Sequence, residues 1–343
     1  MSYQRNYVQN LINGFMSTIV IYTGCELGIF DALKNSSKSV EILSQDIGIT
    51  ISELLRIVRP LEQYKLLQIK NNELTLLEVG ETLVSDNVGS LKAYALFCGR
   101  ESLIAWGGMY PALKKRVSPR ELLSKSHIFN DIEGSDELFQ TFNEMMSAVS
   151  MQLDLTDFFK GFIEKNKEIK VVDVGGGTGT IIKKFLGYYK NATGTILDLA
   201  QARDTALKNL KENNMDYRCT FKETDFFKVI EEEADVFILS RVLHDWKDAE
   251  VSQILRNVAN AMNDNSKLVV LEEIIRNANE PNAIRSYMND IQMWVFCDGK
   301  ERTLQEFSNL FKAVGLNIDS TFDTKEGTAV IIAVKENEET GEL

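Results

Sequence analysis

The sequence predicts an α/β protein: a doubly wound, mainly parallel sheet preceded by a mostly helical domain. Three observations carry this. The run Val171-Val172-Asp173-Val174-Gly175-Gly176-Gly177-Thr178-Gly179-Thr180 reads as a buried strand, from about Ile169, that breaks into a glycine-rich turn and opens a helix near Thr180. From about 168 to 335, apolar strand-like runs alternate with helical segments, the pattern of parallel strands joined by crossover helices. Up to about residue 100 the texture differs, with apolar residues at helical spacing and a single hairpin signal.

A length of 343 residues accommodates two domains. They are placed at 1–100 and at 101–343, the latter comprising connecting helices and a core over about 165–335. Lys plus Arg number 38 against 50 Asp plus Glu, and the resulting formal charge of −12 argues against a nucleic-acid partner. The four cysteines, Cys25, Cys98, Cys219 and Cys297, are widely spaced and form no C-x-x-C pair, so free thiols in a reducing cytoplasm are expected rather than a zinc knuckle or disulfides. The first residues show no signal-peptide pattern, and the apolar run Ile19 to Tyr22 is far too short to span a membrane.

In the first domain, Phe15 to Cys25 and Leu27 to Leu33 read as helices. Ser39 is the expected N-cap of a helix over Val40 to Asp46, which Gly48 ends. Ser52 or Thr50 opens the next helix, about 52 to 65, where Pro60 predicts a kink or a late start. Leu67-Gln68-Ile69 and Leu74-Thr75-Leu76 flank Asn71-Asn72, a hairpin turn signal. Three helices and a hairpin make a winged-helix layout. DNA binding is nevertheless disfavoured, because the third helix sets Arg56, Arg59 and Lys65 against Glu53 and Glu62 and so lacks a basic stripe. Dimerisation suits it better: Phe15, Met16, Ile19 and Val20 load the first helix with more apolar surface than one small core absorbs.

Connecting helices follow, clearest at Trp106 to Leu113 and Phe139 to Met151. In the second domain the expected strands are 169–174, 194–198, 218–222, 235–240, 267–273, 316–320 and 328–334, with helices at 180–188, 201–213, 248–262 and 303–314. The last two strands lie close together and predict an antiparallel hairpin at one end of the sheet. The tail from Glu336 reads as solvated and disordered.

Glycines let a backbone approach a ligand, and the helix that comes after them offers free N–H groups, so the turn predicts a nucleotide-like guest. The dinucleotide fingerprint G-x-G-x-x-G, started at Gly175, needs a glycine where Thr180 stands. The pattern D-x-G-x-G-x-G fits, on Asp173, Gly175, Gly177 and Gly179. It resembles motif I of class I methyltransferases, which bind S-adenosylmethionine. An idle turn is the plain alternative, but four glycines in five positions cost much backbone entropy for no purpose.

Ligands of doubly wound sheets sit at the carboxyl ends of strands. The second strand ends at Asp198, placed to accept from a ribose diol; a surface aspartate is the alternative. After the third come Asp225, suited to an adenine amine, and Phe226, suited to its ring. The fourth ends at Ser240-Arg241 and leads to His244. Of the two histidines, His127 falls in a polar connector and reads as an ordinary surface or boundary residue. His244 faces the cleft and is a candidate base, with a helix cap or a buried structural histidine as alternatives.

The motifs D-V-G-G-G-T-G, L-D-L, D-F-F, L-H-D-W and G-K-E-R-T occur in the order seen in plant and bacterial small-molecule O-methyltransferases, the family of the caffeic acid and hydroxyindole enzymes. The resemblance covers nearly the whole chain. It implies a class I methyltransferase, Rossmann-like fold with an N-terminal dimerisation domain, S-adenosylmethionine as cofactor, a homodimer and an aromatic or phenolic acceptor. His244 matches the family's base, and Glu272 and Glu301 match its two supporting glutamates, with Glu273 as the neighbouring alternative to Glu272. Cofactor contacts carry over to Gly175, Gly177, Asp198, Asp225, Phe226 and Ser240, and Asp173 and Arg241 are grouped with them; plant relatives have lysine at the Ser240 position. The pocket motif F-N-x-x-M matches Phe142, Asn143 and Met146, and Asp245 and Met293 join the acceptor positions, although such apolar residues are singly more often core.

The implied chemistry is coherent. A phenol, with a pKa of about 10, is a poor nucleophile at neutral pH until a base takes its proton. A carboxylate on the other ring nitrogen fixes the tautomer of that base. With no second histidine in this half, a metal requirement is not expected. Three other outcomes stay open: cofactor-binding members that catalyse decarboxylation, hydroxylation or pericyclic steps; transfer to nitrogen, sulfur or carbon; and a winged-helix regulator that senses a small molecule.

Overall fold

The structure, a computed structural model, describes residues 2–123 and 128–336. The sequence expectations for His127 and for the tail beyond Glu336 fall outside the described residues. The chain divides into two compact units, Met1–Gly107 with Gly134–Val149, and Gly108–Glu133 with the chain from Ser150 onward.

In the first unit, helices α1 (Ser2–Ile12), α2 (Gly14–Glu26), α3 (Ile29–Leu33), α4 (Val40–Ile47) and α5 (Ile51–Gln63) precede the hairpin. Ser39 caps α4, its hydroxyl accepting from the Ile42 N–H, and Gly48 ends that helix in the left-handed region. Thr50 and Glu53 close a capping box that starts α5, so the late start expected from Pro60 does not occur. The helix runs on through Pro60, one turn from its end, although proline brings no N–H for the Arg56 carbonyl four residues back. Strands β1 (Lys38–Ser39), β2 (Leu67–Lys70) and β3 (Glu73–Leu76) form a small antiparallel sheet in the order β1-β3-β2. The β2–β3 turn places both Asn71 and Asn72 at positive φ, the requirement of a type I′ turn. Phe30, Leu43, Leu54, Val58, Leu61 and Leu74 form the core of this unit. Helix α1 was not foreseen. It exposes Tyr3, Tyr7, Val8, Leu11 and Ile12, and α2 continues the apolar surface with Phe15, Met16 and Ile19.

The second unit holds a seven-stranded sheet: β4 (Ile169–Val174), β5 (Ala192–Asp198), β6 (Cys219–Glu223), β7 (Val236–Ser240), β8 (Lys267–Glu272), β9 (Leu316–Asp323) and β10 (Ala329–Lys335). Its order is β6-β5-β4-β7-β8-β10-β9. The first five strands in chain order run parallel, and β10 enters antiparallel between β8 and β9. The expected terminal hairpin is therefore present, with β10 inside and β9 at the edge. Chain order reverses between β4 and β7, so the ligand crevice of this topology opens at their carboxyl ends. Apolar layers cover both faces: Phe158, Phe159, Phe185 and Ile196 belong to one, and Val251, Ile254, Phe307 and Phe311 to the other. Helix Thr156–Phe162 falls within the expected connecting helices, Ala283–Cys297 lies where no helix was expected, and the segment expected as one helix from Trp106 is two, Leu103–Gly107 and Met109–Lys115, parted at a glycine pair. Among the described residues, no helix is long and apolar enough to cross a membrane.

Candidate active site

The turn after β7 carries the chemistry. Arg241 adopts a left-handed backbone (φ 56°), which swings the chain away from the sheet into the short 3₁₀ turn Leu243–Asp245. Glu272, the last residue of β8, is wholly buried beneath that turn. One of its carboxylate oxygens accepts from the N–H groups of Val242 (3.1 Å) and Leu243 (2.8 Å). Its other oxygen lies 3.2 Å from His244 Nδ1. Glu301 comes from the segment after helix Ala283–Cys297; its N–H donates to Asp290 (3.0 Å), and its Oε1 stands 3.0 Å from the same His244 Nδ1. Both glutamates thus converge on one ring nitrogen. Nε2 faces Asp245 at 3.7 Å, and that carboxylate accepts from the Cys297 thiol across 3.2 Å. Glu273 pairs instead with Arg285 at 3.0 Å, so of the two neighbouring glutamates it is Glu272 that reaches the histidine.

Burial by itself would lower the His244 pKa, but Glu272, Glu301 and Asp245 outweigh it and raise the imidazole to about 10. Burial pushes the Glu272 carboxyl up to about 7, with the His244 charge opposing. Two carboxylates on Nδ1 call for a proton there, so Nε2 is the nitrogen that gives up the second proton and becomes the basic position. His244, Glu272 and Glu301 bring their ligand-type atoms within 4.8 Å of one another, a set able to hold a cation. The 3.0 Å contact to Glu301 is equally that of a hydrogen bond from one Nδ1 proton, while the Glu272 oxygen at 3.2 Å faces the ring as a charge without a hydrogen-bond partner.

The neighbouring corner, at the ends of β4, β5 and β6, is built on the glycine turn. Gly175, Gly177 and Gly179 all have φ between 54° and 74°, where a side chain is strained, and a Cβ on Gly175 would stand 2.8 Å from Val242. The Gly177 and Leu199 N–H groups each donate to Asp198 at 2.7 Å, locking that carboxylate at the end of β5. Phe226 lies beside Gly175, and Asp225 accepts from the Phe227 N–H at 3.0 Å. Ser240 Oγ is buried with no hydrogen-bond partner, and the Arg241 guanidinium has no side-chain hydrogen bond among the described residues. Asp173 is buried under the turn and accepts from the Ile182 N–H, so it braces the first turn of the helix Thr180–Tyr188.

The remaining acceptor positions are spread over both units. Phe142, Asn143 and Met146 lie on helix Asp136–Met151 in the first unit, where Phe142 packs on Phe97 and the Asn143 amide nitrogen is buried without a partner. Met293 is partly exposed on Ala283–Cys297 in the second. Sequence reading passed over Asp290, Cys297, Gly299 and Arg302. The G-K-E-R-T run pointed at the last two, but only its glutamate was taken up.

The O-methyltransferase dimerisation domain family matches residues 9–86, and the O-methyltransferase domain family matches residues 121–317, over half of the chain. Phenazine O-methyltransferase PhzM of Lysobacter antibioticus is 27% identical over 331 residues, covering 94% of both chains. Acetylserotonin O-methyltransferase of Gallus gallus is also 27% identical, over 322 residues and 88% of this chain and 89% of that one. The crystal structure of LaPhzM superposes with a TM-score of 0.90 at 25% identity, covering 97% of this chain and 99% of its own. The helical N-terminal unit and the mostly parallel seven-stranded sheet agree with these matches: the chain belongs to the O-methyltransferase family.

Proposed function

We propose that this protein transfers a methyl group from S-adenosylmethionine to a hydroxyl of an aromatic or phenolic small molecule, with His244 as general base. The observation that carries the reading is the pair of carboxylates on His244 Nδ1, at 3.0 and 3.2 Å, with Nε2 left as the basic nitrogen.

The cofactor's fit rests on what the corner beside the glycine turn leaves unused. Gly175–Gly179 presents backbone without side chains, Ser240 Oγ is a buried hydroxyl without a partner, and the Arg241 guanidinium is free to meet a carboxylate. Asp198 would hold the ribose diol through the lone pairs its two backbone bonds leave over, Asp225 the adenine amine, Phe226 the ring, and Ser240 with Arg241 the amino-acid end. When bound, S-adenosylmethionine supplies a methyl group on a cationic sulfonium. His244 Nε2 takes the acceptor's hydroxyl proton, and Glu272 and Glu301 stabilise the imidazolium that results. Asp245 would orient the acceptor beside Nε2, with Met293 as a further acceptor contact. An imidazole raised to about 10 is matched to a phenol of similar pKa, and a nearby sulfonium charge favours its neutral form.

A base of this strength suits a hydroxyl; an amine attacks through its lone pair before any proton leaves, so transfer to oxygen is preferred over nitrogen. Homodimerisation is proposed through the apolar surface of α1 and α2. A cytoplasmic setting accords with four free cysteines, and the mixed charge of α5 offers nucleic acid no basic stripe.

Replacing His244 by Ala tests the assignment. Methylated product, read by mass, should fall by roughly 10²–10⁴-fold, while S-adenosylhomocysteine binding by calorimetry stays intact. Unchanged turnover would remove the base, and product without an added methyl would point to the non-methyl chemistries.

A further inference from the structure

Of the five residues Gly299–Thr303, the mechanism uses one, Glu301. The other four dock one half of the catalytic cluster onto the other. Thr303 caps the helix Leu304–Lys312 through a capping box with Glu306, which fixes where the segment ends. The Lys300 N–H donates to the His244 carbonyl at 3.0 Å. Gly299 lies so close that a Cβ there would stand 2.1 Å from that same carbonyl oxygen, so the two backbones are in direct contact.

Arg302 is the centre of this docking. Its side chain is fully buried, and four acceptors surround it. One terminal nitrogen donates to the Leu243 carbonyl (2.9 Å) and the Lys300 carbonyl (3.3 Å), the other to the Trp246 carbonyl (2.7 Å), and Nε to Asp248 (2.9 Å). Leu243 and Trp246 bracket the His244–Asp245 dipeptide. One guanidinium therefore holds both ends of the turn that bears the histidine, and is covalently next to Glu301. A buried guanidinium costs much desolvation unless its donors are met, and here carbonyls meet most of them, with Asp248 as its ion-pair partner.

We propose that Arg302 is a positioning residue that sets the distance between His244 and Glu301, and so the turnover of the site, without touching acceptor or cofactor. This rests on His244 being the base. A planar fork meeting three carbonyls and a carboxylate fixes the turn in rotation as well as position, which a lysine ammonium cannot reproduce.

The test is Arg302→Lys, studied on the full chain. At an unchanged melting temperature, kcat should fall at least about tenfold, because small misplacements of a base are costly, while acceptor KM and S-adenosylmethionine affinity stay within about twofold. The second readout is the NMR titration of His244 in a His127→Gln background, which leaves His244 the only histidine. Its midpoint should move down as Glu301 withdraws. A folded Arg302→Lys protein with wild-type kcat and an unmoved titration overturns the proposal. Should Arg302→Lys fail to fold, Asp248→Asn decides. It removes the charge of Arg302's ion-pair partner at the solvent edge while an amide oxygen can still accept, and is expected to lower kcat about two- to fivefold with the same downward shift; no change in either overturns the proposal. The base reading fails separately, if His244→Ala keeps its turnover, and in that event the titration still reports on the clamp.

Discussion

The two corners of the crevice are built on opposite plans. At the ends of β7 and β8, the residues around the imidazole are pinned through the backbone: Glu272 accepts from two backbone N–H groups with one oxygen and turns the other, unpartnered, to the imidazole, Arg302 donates to three carbonyls, and Glu301 is held through its own N–H by Asp290. At the ends of β4 and β5, and at the last residue of β7, polar capacity is left over: Ser240 Oγ is an orphan, and Asp198 keeps lone pairs beyond its two backbone bonds. A group that must aim a base is over-determined by the protein. A group that must meet a ligand is held but left unsatisfied, because the ligand supplies the missing partner. Orphaned atoms alone do not draw the line, since one oxygen each of Glu272 and Glu301 is also without a hydrogen-bond partner; what separates the corners is how many backbone groups of the protein hold the residues in place.

The sharpest way to break the comparison is Glu272→Ala. In the closed corner this removes the acceptor of two buried N–H groups and one of the two carboxylates facing His244 Nδ1, so stability and turnover should fall together. A loss of roughly 3–5 kcal/mol in denaturant unfolding is expected, as for breaking a buried pair. A stability change under about 1 kcal/mol would mean that the turn holds its shape without Glu272.

Asp198→Ala probes the open corner and should separate what Glu272→Ala couples. The affinity for S-adenosylmethionine should drop roughly ten- to a hundredfold, the effect of losing about 1.5–3 kcal/mol of charge-assisted hydrogen bonding. Turnover at saturating cofactor should stay within a few-fold of wild type. Equal losses in kcat and affinity would show that Asp198 shapes the catalytic corner too.

The sequence exposed the sheet because its strands are buried on both faces and so are written as continuous apolar runs, such as Val236 to Leu239 and Leu268 to Leu271. The candidate site was legible where its residues sit at or just beyond the end of such a run, as with Asp198, His244 and Glu272. The hidden parts depend on distance through space. Helix Ala283–Cys297 mixes Asp290 and Gln292 with Met288 and Met293, so no clear apolar stripe announces it, yet it supplies the carboxylate that holds Glu301. Arg302 works through carbonyls 56 and 59 positions away, and a carbonyl acceptor leaves no trace in residue identity. Helix α1 was missed because its apolar residues alternate with Gln and Asn and remain exposed in the single chain. Pro60 misled because the capping box at Thr50 fixes the start of α5 whatever residue stands further along the helix.

The smallest effect is expected at Asp173, which the sequence grouped with the cofactor positions and which lies buried under the glycine turn. Burial raises its carboxyl to about 7, the Ile182 N–H opposes, and nearby Asp198 adds to the rise. A raised carboxyl means that the folded protein favours the protonated form. Its contribution is fully present below the ordinary aspartate value of about 3.9 and is lost as pH climbs through about 7. Asp173→Asn keeps an oxygen to accept from Ile182 and cannot ionise. The variant should therefore lose the part of the stability decline that wild type shows between about pH 4 and 7, while its S-adenosylmethionine affinity stays within a few-fold. Melting temperatures across that range, alongside calorimetry at about pH 7.5, measure both. A large loss of affinity at unchanged stability would move Asp173 from bracing the turn to meeting the ligand, and the line between the two corners would have to be redrawn through β4.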